Sequence, residues 1–470
     1  MYIQQLYTTC LSEAAYYIES NGEAAIVDPL RDIDQYIALS KERNTVIKYI
    51  FETHFHADFV SGHLDLAKKT NATIIYGPDT ITNYPVYIAK DKEQFNIGAL
   101  CIEVLHTPGH TIESSCFLLY DENKKAHSIF TGDTLFVGDV GRPDLSSGNL
   151  SKEELASMLY DSLQNKIIPL ADDILVYPAH GAGSSCGKNL GPESHSTIGN
   201  EKKNNYALQP QLKEEFILAV TKDLDIAPKY FAINAAINQQ GYESMEEIKK
   251  EALTPLSVNE IKQLIKNETL ILDTRHADNF AEGFIPGSIF IGLEGRFAEW
   301  AGSLLPFDKP IALVTEPGKE EETITRLARV GFTLFKGYLQ GGFESWKNSD
   351  ERTDMIINVE ADELAMDIPF DPNLQIVDVR KENEFDEGHI VDALNIPLQD
   401  LTDVVNIANF EENQNLYLHC AGGYRSMIAC SLFKKEGMHN IRNIVGGWSK
   451  IKEEKRIKTT SSEKNQETKN

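Results

Sequence analysis

Cysteine is scarce: six in 470 residues, at positions 10, 101, 116, 186, 420 and 430, with no paired spacing. That excludes the disulfide framework of a small secreted fold and suits a reducing compartment, where one or two thiols are open to redox or nucleophilic roles. Basic charge is short as well. With 45 Lys and Arg against 71 Asp and Glu, the net charge is -26. No basic face is written for a phosphate backbone or an anionic membrane, so neither is expected as a partner. No window approaches the roughly 20 apolar residues of a membrane span, and Met1 to Thr9 has neither a basic start nor an apolar core. A cytoplasmic protein of about two to four domains is expected.

What the chain does have is a short apolar run, Val46 to Phe51, that stops at Thr53-His54-Phe55-His56-Ala57-Asp58-Phe59. Val60, Leu64 and Ala67 follow at helical spacing, so the two imidazoles are expected at a strand-to-helix turn, where rigid neighbours can aim ligands at a cation. Further β-type runs end in Thr107-Pro108-Gly109-His110, Thr131-Gly132-Asp133 and Tyr177-Pro178-Ala179-His180. Asp28, after Ala24 to Val27, is another strand-end carboxylate, read either as orienting a ligand or as a plain turn residue.

His-x-His-x-Asp, then His, then Asp, then His, each at a strand end, resembles the metallo-β-lactamase superfamily. That resemblance covers about half the chain and implies an αββα sandwich. Its dinuclear hydrolases, such as glyoxalase II, place a further histidine after the Asp; here that position is Phe59. A phenyl ring cannot coordinate, which leaves a second ion with Asp58, His180 and a shared Asp133, a poor set. One metal is expected, held by His54, His110 and Asp133, a two-His one-carboxylate face typical of non-heme Fe(II) enzymes that activate O2. Spacing alone also allows His56.

Within the superfamily the combination resembles the persulfide dioxygenases. By that resemblance His54, His110 and Asp133 hold one Fe(II) per chain and His56 stands just outside the ligand set. Gly141-Arg142-Pro143-Asp144 looks like their Gly-Arg-x-Asp segment, making Arg142 a candidate for the carboxylates of a glutathione-type substrate; from its own neighbours it reads equally as a salt bridge. Cys186 lies in Gly181-Ala182-Gly183-Ser184-Ser185-Cys186-Gly187, read as a mobile loop, and is a candidate to carry sulfane sulfur or an ordinary loop cysteine. Its location resembles that in the dioxygenase-rhodanese fusion subgroup.

Beyond Gln240 the chain repeats. Leu272-Asp273-Thr274-Arg275 matches Val377-Asp378-Val379-Arg380, Phe280-Ala281-Glu282-Gly283 matches Phe385-Asp386-Glu387-Gly388, and Gly341-Gly342-Phe343 matches Gly446-Gly447-Trp448, always 105 residues apart. A constant offset means two copies of one α/β domain. The second copy carries His419-Cys420-Ala421-Gly422-Gly423-Tyr424-Arg425-Ser426 between a strand and a helix through Phe433. A cysteine there faces backbone N–H groups and the positive end of the helix dipole, which favours a thiolate and then a persulfide anion; Arg425 adds a full charge to the same cradle.

Cys-x-x-Gly-x-Arg with the upstream Asp-Val-Arg resembles the rhodaneses, and by that resemblance Cys420 is the sulfur-carrying nucleophile and Ala421, Gly422, Gly423 and Tyr424 line its substrate. The offset puts Thr315 and Glu320 where Cys420 and Arg425 stand, so the first copy cannot carry a persulfide this way. The expected organisation is α/β and multidomain: a metallo-β-lactamase-like dioxygenase domain over 1–245, an inactive rhodanese-like domain over 246–352, an active one over 353–455 and a disordered tail over 456–470. The resemblance implies a low-molecular-weight persulfide or thiol, O2 and sulfite as small-molecule partners, with Asp58 and His180 hydrogen-bonding substrate; self-association into a homo-oligomer is also expected. The alternative is a glyoxalase II-like dinuclear zinc thioester hydrolase with regulatory rhodanese domains; a non-catalytic sulfur carrier would leave the metal triad unexplained.

Overall fold

The computed structural model describes residues 1–145 and 150–461. Contacts divide the chain into two compact units, Met1–Glu247 with Thr325–Thr333, and Ile248–Ile324 with Leu334 onward. No helix among the described residues is long and apolar enough to cross a membrane.

The first unit is built on two six-stranded sheets. One runs in chain order through β1 (Tyr2–Thr8), β2 (Glu13–Ser20), β3 (Glu23–Val27), β4 (Val46–Phe51), β5 (Thr73–Tyr76) and β6 (Tyr87–Ile88). The other contains β7 (Gln94–Ile97), β8 (Leu100–His106), β9 (Ser115–Tyr120), β10 (Ala126–Gly132), β11 (Leu175–Pro178) and β12 (Ser196–Thr197), also in sequential order.

Strand alternation explains the layering. Tyr16, Ile18, Ala25 and Val27 point inward and share one core with Ile102, Val104, Phe117, Leu119 and Phe130 of the facing sheet. Their neighbours Ala15, Tyr17, Ala24 and Ile26 point outward into a second core with Ile33, Tyr36 and Leu66 from covering segments. Leu118, Ile129 and Val176 pack outward against the helices Lys152–Ser162 and Lys213–Thr221, through Ala156, Leu159 and Phe216. Both faces of the inner strands β2, β3, β9 and β10 are therefore largely dry, which is why these strands read as nearly continuous apolar runs. The result is the expected αββα sandwich. Neither β1 nor β2 was expected from sequence, and the helix anticipated from Val60 starts at His63.

The second unit contains the two repeats as two five-stranded sheets. In the first, Pro255–Leu256, Phe335–Leu339, Ile311–Val314, Leu270–Asp273 and Ile289–Phe290 lie side by side, all parallel. In the second, Ile357–Val359, Ile441–Ile444, Asn415–His419, Leu374–Asp378 and Leu394–Asn395 repeat that order. Geometry repeats as well as topology. Arg275 grips Asp273 at 2.7 Å and the Gly283 carbonyl at 2.8 Å, and Arg380 grips Asp378 at 2.6 Å and the Gly388 carbonyl at 2.7 Å.

The expected disordered tail needs one correction. Thr459–Ser461 forms a strand antiparallel to Gly388–Ile390, so backbone pairing orders part of a segment whose side chains alone offered little to pack. Residues 462–470, the rest of that expectation, lie outside the described residues.

Candidate functional site

The ends of β3, β4, β10 and β11, together with the turn after β8, bring the strand-end residues of the first unit together. The ligating atoms of His54, His110 and Asp133 lie within 4.8 Å of one another, all buried. Nε2 of His110 is 3.4 Å and Nε2 of His54 is 3.8 Å from Oδ2 of Asp133.

The opposite ring nitrogens are pinned. His110 Nδ1 donates to the Arg142 carbonyl at 2.8 Å and His180 Nδ1 to the Ser12 carbonyl at 3.2 Å. A carbonyl only accepts, so these rings carry a proton on Nδ1 and turn Nε2 inward. His54 Nδ1 meets Thr53 Oγ1 at 2.9 Å, and that hydroxyl donates to Asp28 Oδ2, also at 2.9 Å. Burial, then the surrounding histidines, holds His54 well below the usual histidine range, so it is neutral. Backbone crowding is part of the design: a Cβ on Gly141 would stand 2.1 Å from the Asp133 carbonyl oxygen and 2.9 Å from His110 Nδ1.

Both oxygens of Asp133, both of Asp58 and Nε2 of His180 are buried without a hydrogen-bond partner. So many acceptors turned toward each other in a dry pocket are unfavourable unless a cation sits among them. The residues fit a metal ion. Asp133 also faces away from the triad: its Oδ1 is 3.5 Å from Nε2 of His180, which is 3.5 Å from Asp58 Oδ2.

The sequence left this second position with Asp58, His180 and Asp133 alone. Tertiary packing adds two groups to it: His56 comes within ligating range of Asp58 and His180, and Cys186 within range of Asp133 and His180. His56 has other claims on it. Its Nε2 is 3.2 Å from Asp28 and 3.9 Å from Glu52. Burial disfavours its charge, but Asp28, Glu52 and Asp58 outweigh burial and push its pKa up to about 10.

Cys186 is not on a freely moving loop. It is 2% exposed, its N–H donates to Ser184 Oγ at 3.1 Å and its carbonyl accepts the Arg142 N–H at 3.0 Å. Burial, with Asp58 and Asp133 adding to it, pushes the thiol well above its usual range. Of the two readings that the sequence left open for Arg142, the structure shows the salt bridge. Only 4% exposed, Arg142 binds Asp144 through Nε at 3.0 Å and Nη2 at 2.8 Å, and the Ser185 and Asp225 carbonyls at 3.3 and 2.5 Å. With its donors engaged inside the fold, it braces the Cys186 loop instead of offering a free fork to a substrate carboxylate.

Three supporting residues had no sequence signal. Asn238, on the helix Tyr230–Gln240, donates to the carbonyls of His56 and Phe59, both at 2.8 Å, and accepts the Ser61 N–H at 2.9 Å. Glu113 accepts the Phe55 N–H at 3.0 Å. Glu13, bridged to His180 through backbone, keeps both carboxylate oxygens buried without a hydrogen bond, and burial raises its pKa well above the usual range. Only their distance in sequence hid them.

In the second unit, Cys420 sits between the strand Asn415–His419 and the helix Tyr424–Lys435. Gly423, at φ +108°, turns its N–H onto Cys420 Sγ at 3.1 Å, a backbone shape that disfavours a side chain. Ser426 Oγ is 3.7 Å from the sulfur. The Trp448 N–H donates to the Cys420 carbonyl at 2.7 Å and Ser449 N–H to that of Ala421 at 3.1 Å, while Gly422 leaves the loop open to solvent. Arg425 does not lend its charge to the sulfur alone: Glu384 takes both terminal guanidinium nitrogens, at 2.6 and 2.8 Å. In the first copy the corresponding cavity, about 230 Å³, is lined by Thr315, Glu316 and Arg275 and has no thiol.

Known proteins match both halves. Residues 8–180 match the metallo-beta-lactamase superfamily, and residues 257–349 and 360–454 each match the rhodanese-like domain. A probable hydroxyacylglutathione hydrolase of Schizosaccharomyces pombe is 36% identical over 165 residues, 34% of this chain; the chain spans 60% of that relative's length. A crystal structure titled metallo-beta-lactamase from Staphylococcus aureus is 34% identical, with TM-score 0.64, covering 72% of this chain and 98% of that one. The crystal structure of ETHE1 from Myxococcus xanthus is 29% identical, covering 51% of this chain and 98% of that one, with TM-score 0.44. On this fold, these ligands and these matches, the chain belongs to the metallo-β-lactamase superfamily and carries two rhodanese-like domains behind that fold.

Proposed function

We propose that the chain is a persulfide dioxygenase coupled to rhodanese sulfur transfer. One observation carries the proposal: Phe59 takes the position where the dinuclear hydrolases place a metal-binding imidazole, and its ring lies against His56, beside a buried triad of His54, His110 and Asp133. Two imidazoles and one carboxylate leave coordination positions open, and a bound Fe(II) would supply O2 activation there.

The chain's own residues do the rest. Asp133 and the two imidazoles hold the ion, fixed from behind by the Arg142 carbonyl and by Thr53 with Asp28. Asp58 and His180, not required by a single ion, hydrogen-bond a glutathione-type persulfide, and Cys186 lines the same pocket as a sulfur carrier. One persulfide, one O2 and one water give one thiol, one sulfite and two protons. At the second site, the Cys420 persulfide anion gives its outer sulfur to sulfite, leaving the Cys420 thiolate and thiosulfate.

The second reading is a dinuclear zinc thioester hydrolase with the rhodanese domains as redox regulators. Two observations favour it: His56 lies within ligating range of Asp58 and His180, and the fission yeast relative is named a probable hydroxyacylglutathione hydrolase. Metal analysis of the purified chain, with oxygen uptake on glutathione persulfide and hydrolysis of a hydroxyacylglutathione, separates them. About one iron per chain with oxygen consumption is expected; two zincs with thioesterase activity alone would reverse the assignment.

A further inference from the structure

We infer that the thiol-free rhodanese copy acts as a positioning element for the sulfur-carrying loop of its neighbour, through Tyr424. The inference rests on the reading of Cys420 as the sulfur carrier and gives the silent copy a task that its own chemistry cannot supply.

Tyr424 opens the helix whose first turn forms the Cys420 cradle, directly after Gly423, the donor to the sulfur. Its phenol donates to the carbonyl of Gly292 in the silent copy at 2.7 Å. The ring lies over Gly295, at φ +78°, where an added Cβ would meet three ring carbons at 3.5 to 3.6 Å.

The same helix is held at two further levels. Ser431 Oγ, fully buried, accepts the N–H of Phe290, the last residue of the silent copy's strand Ile289–Phe290, at 3.0 Å. Lys434 pairs with Asp354 at 2.8 Å, and Asp354 is joined by paired backbone hydrogen bonds to Phe284. Anchors at 424, 431 and 434 fix both the rotation and the axial position of one helix.

That position matters because the cradle is made at the helix start, by the Gly423 N–H and the Ser426 side chain. Their effect on a thiolate falls off within the first turn, so a small shift of the helix start away from Cys420 weakens it. Arg425 offers limited compensation, since Glu384 already takes its guanidinium. In sulfur uptake, the Cys420 thiolate attacks the outer sulfur of thiosulfate; the new S–S bond forms as the old one breaks, and sulfite leaves with the electron pair. A better-stabilised thiolate gives a larger reactive fraction at neutral pH. Tyr424 is thus a positioning residue acting through the loop, and the silent copy is the frame that holds it.

The test uses the full-length chain as Tyr424→Phe, Ser431→Ala and Ser431→Thr. Alkylation of Cys420 by iodoacetamide is followed against pH by peptide mass, alongside Cys420 persulfide formation from thiosulfate and the unfolding temperature. Tyr424→Phe keeps the ring and loses one hydrogen bond, so a roughly three- to tenfold slower alkylation at neutral pH is expected, with the midpoint moved upward. Ser431→Ala should shift it the same way, and Ser431→Thr, which keeps the hydroxyl, should restore the wild-type midpoint. Wild-type pH profiles in both Tyr424→Phe and Ser431→Ala, whatever their unfolding temperatures, would overturn the inference. A wild-type chain that takes no sulfur on Cys420 overturns instead the sulfur-carrier reading, a result the alkylation profile does not depend on.

Discussion

The phenyl ring of Phe59 lies on the imidazole of His56, with centroids 4.3 Å apart and planes inclined by 29°. The ring that cannot bind metal thus packs on the histidine nearest the second position, where Asp58 and His180 stand with unpartnered polar atoms. Returning an imidazole to position 59 supplies the donor missing from that set. Phe59→His is expected to raise bound metal from about one toward two ions per chain, read by elemental analysis, and to lower oxygen uptake on persulfide. Unchanged stoichiometry would mean that position 59 does not control the ion count.

Cys420→Ser keeps the size of the side chain and removes the proposed sulfur carrier. Sulfite formation from glutathione persulfide should persist while thiosulfate formation stops, measured by separate assays of the two anions. Loss of both products would show that sulfur must reach the His54, His110 and Asp133 site by way of the rhodanese.

Arg142 is a brace, and its removal should read as one. Arg142→Ala leaves Asp144 without its partner and the Ser185 and Asp225 carbonyls without donors. A loss of about 2 kcal/mol in denaturant unfolding is expected, with faster metal release as the Cys186 loop loosens. KM for the persulfide should stay within about twofold, because the guanidinium is not offered to substrate. A large rise in KM at unchanged stability would return Arg142 to the substrate site.

Glu384 sets an acid-side dependence in the second unit. Burial raises its carboxyl, but the Arg425 guanidinium bonded to it outweighs burial and holds it below the usual carboxylate range. A carboxylate with a depressed folded pKa contributes stability above its unfolded value, about 4.3, and loses it as pH falls through the folded value. Wild type should therefore lose its advantage over Glu384→Gln on acidification below about pH 4.5, by a small amount because the pair is partly exposed. Urea midpoints of both proteins across that range check the sign. An advantage that grows toward acid would contradict it.

Much of this was written in local pattern. The strand-end order of His54, His110, Asp133 and His180 pointed to a candidate metal centre because β-type runs and Gly or Pro turns mark those positions within a few residues. The constant offset between Asp273 and Asp378, or Gly283 and Gly388, announced the duplicated domain, and Gly422-Gly423 before a helix announced the Cys420 cradle. These features are local or periodic, so the order of residues alone determines them.

Tertiary structure decided which groups face one another. Cys186 read either as a sulfur carrier or as a loop thiol and is buried beside Asp133 and His180; Arg142 read either as a substrate contact or as a salt bridge and binds Asp144 and two carbonyls. Asn238 clamps the histidine loop from about 180 residues away, and Tyr424 reaches Gly292 across 132 residues. No periodicity encodes such contacts. They arise when separately formed elements pack and buried polar groups must find partners, a condition that burial imposes on the whole fold and that no stretch of sequence meets by itself.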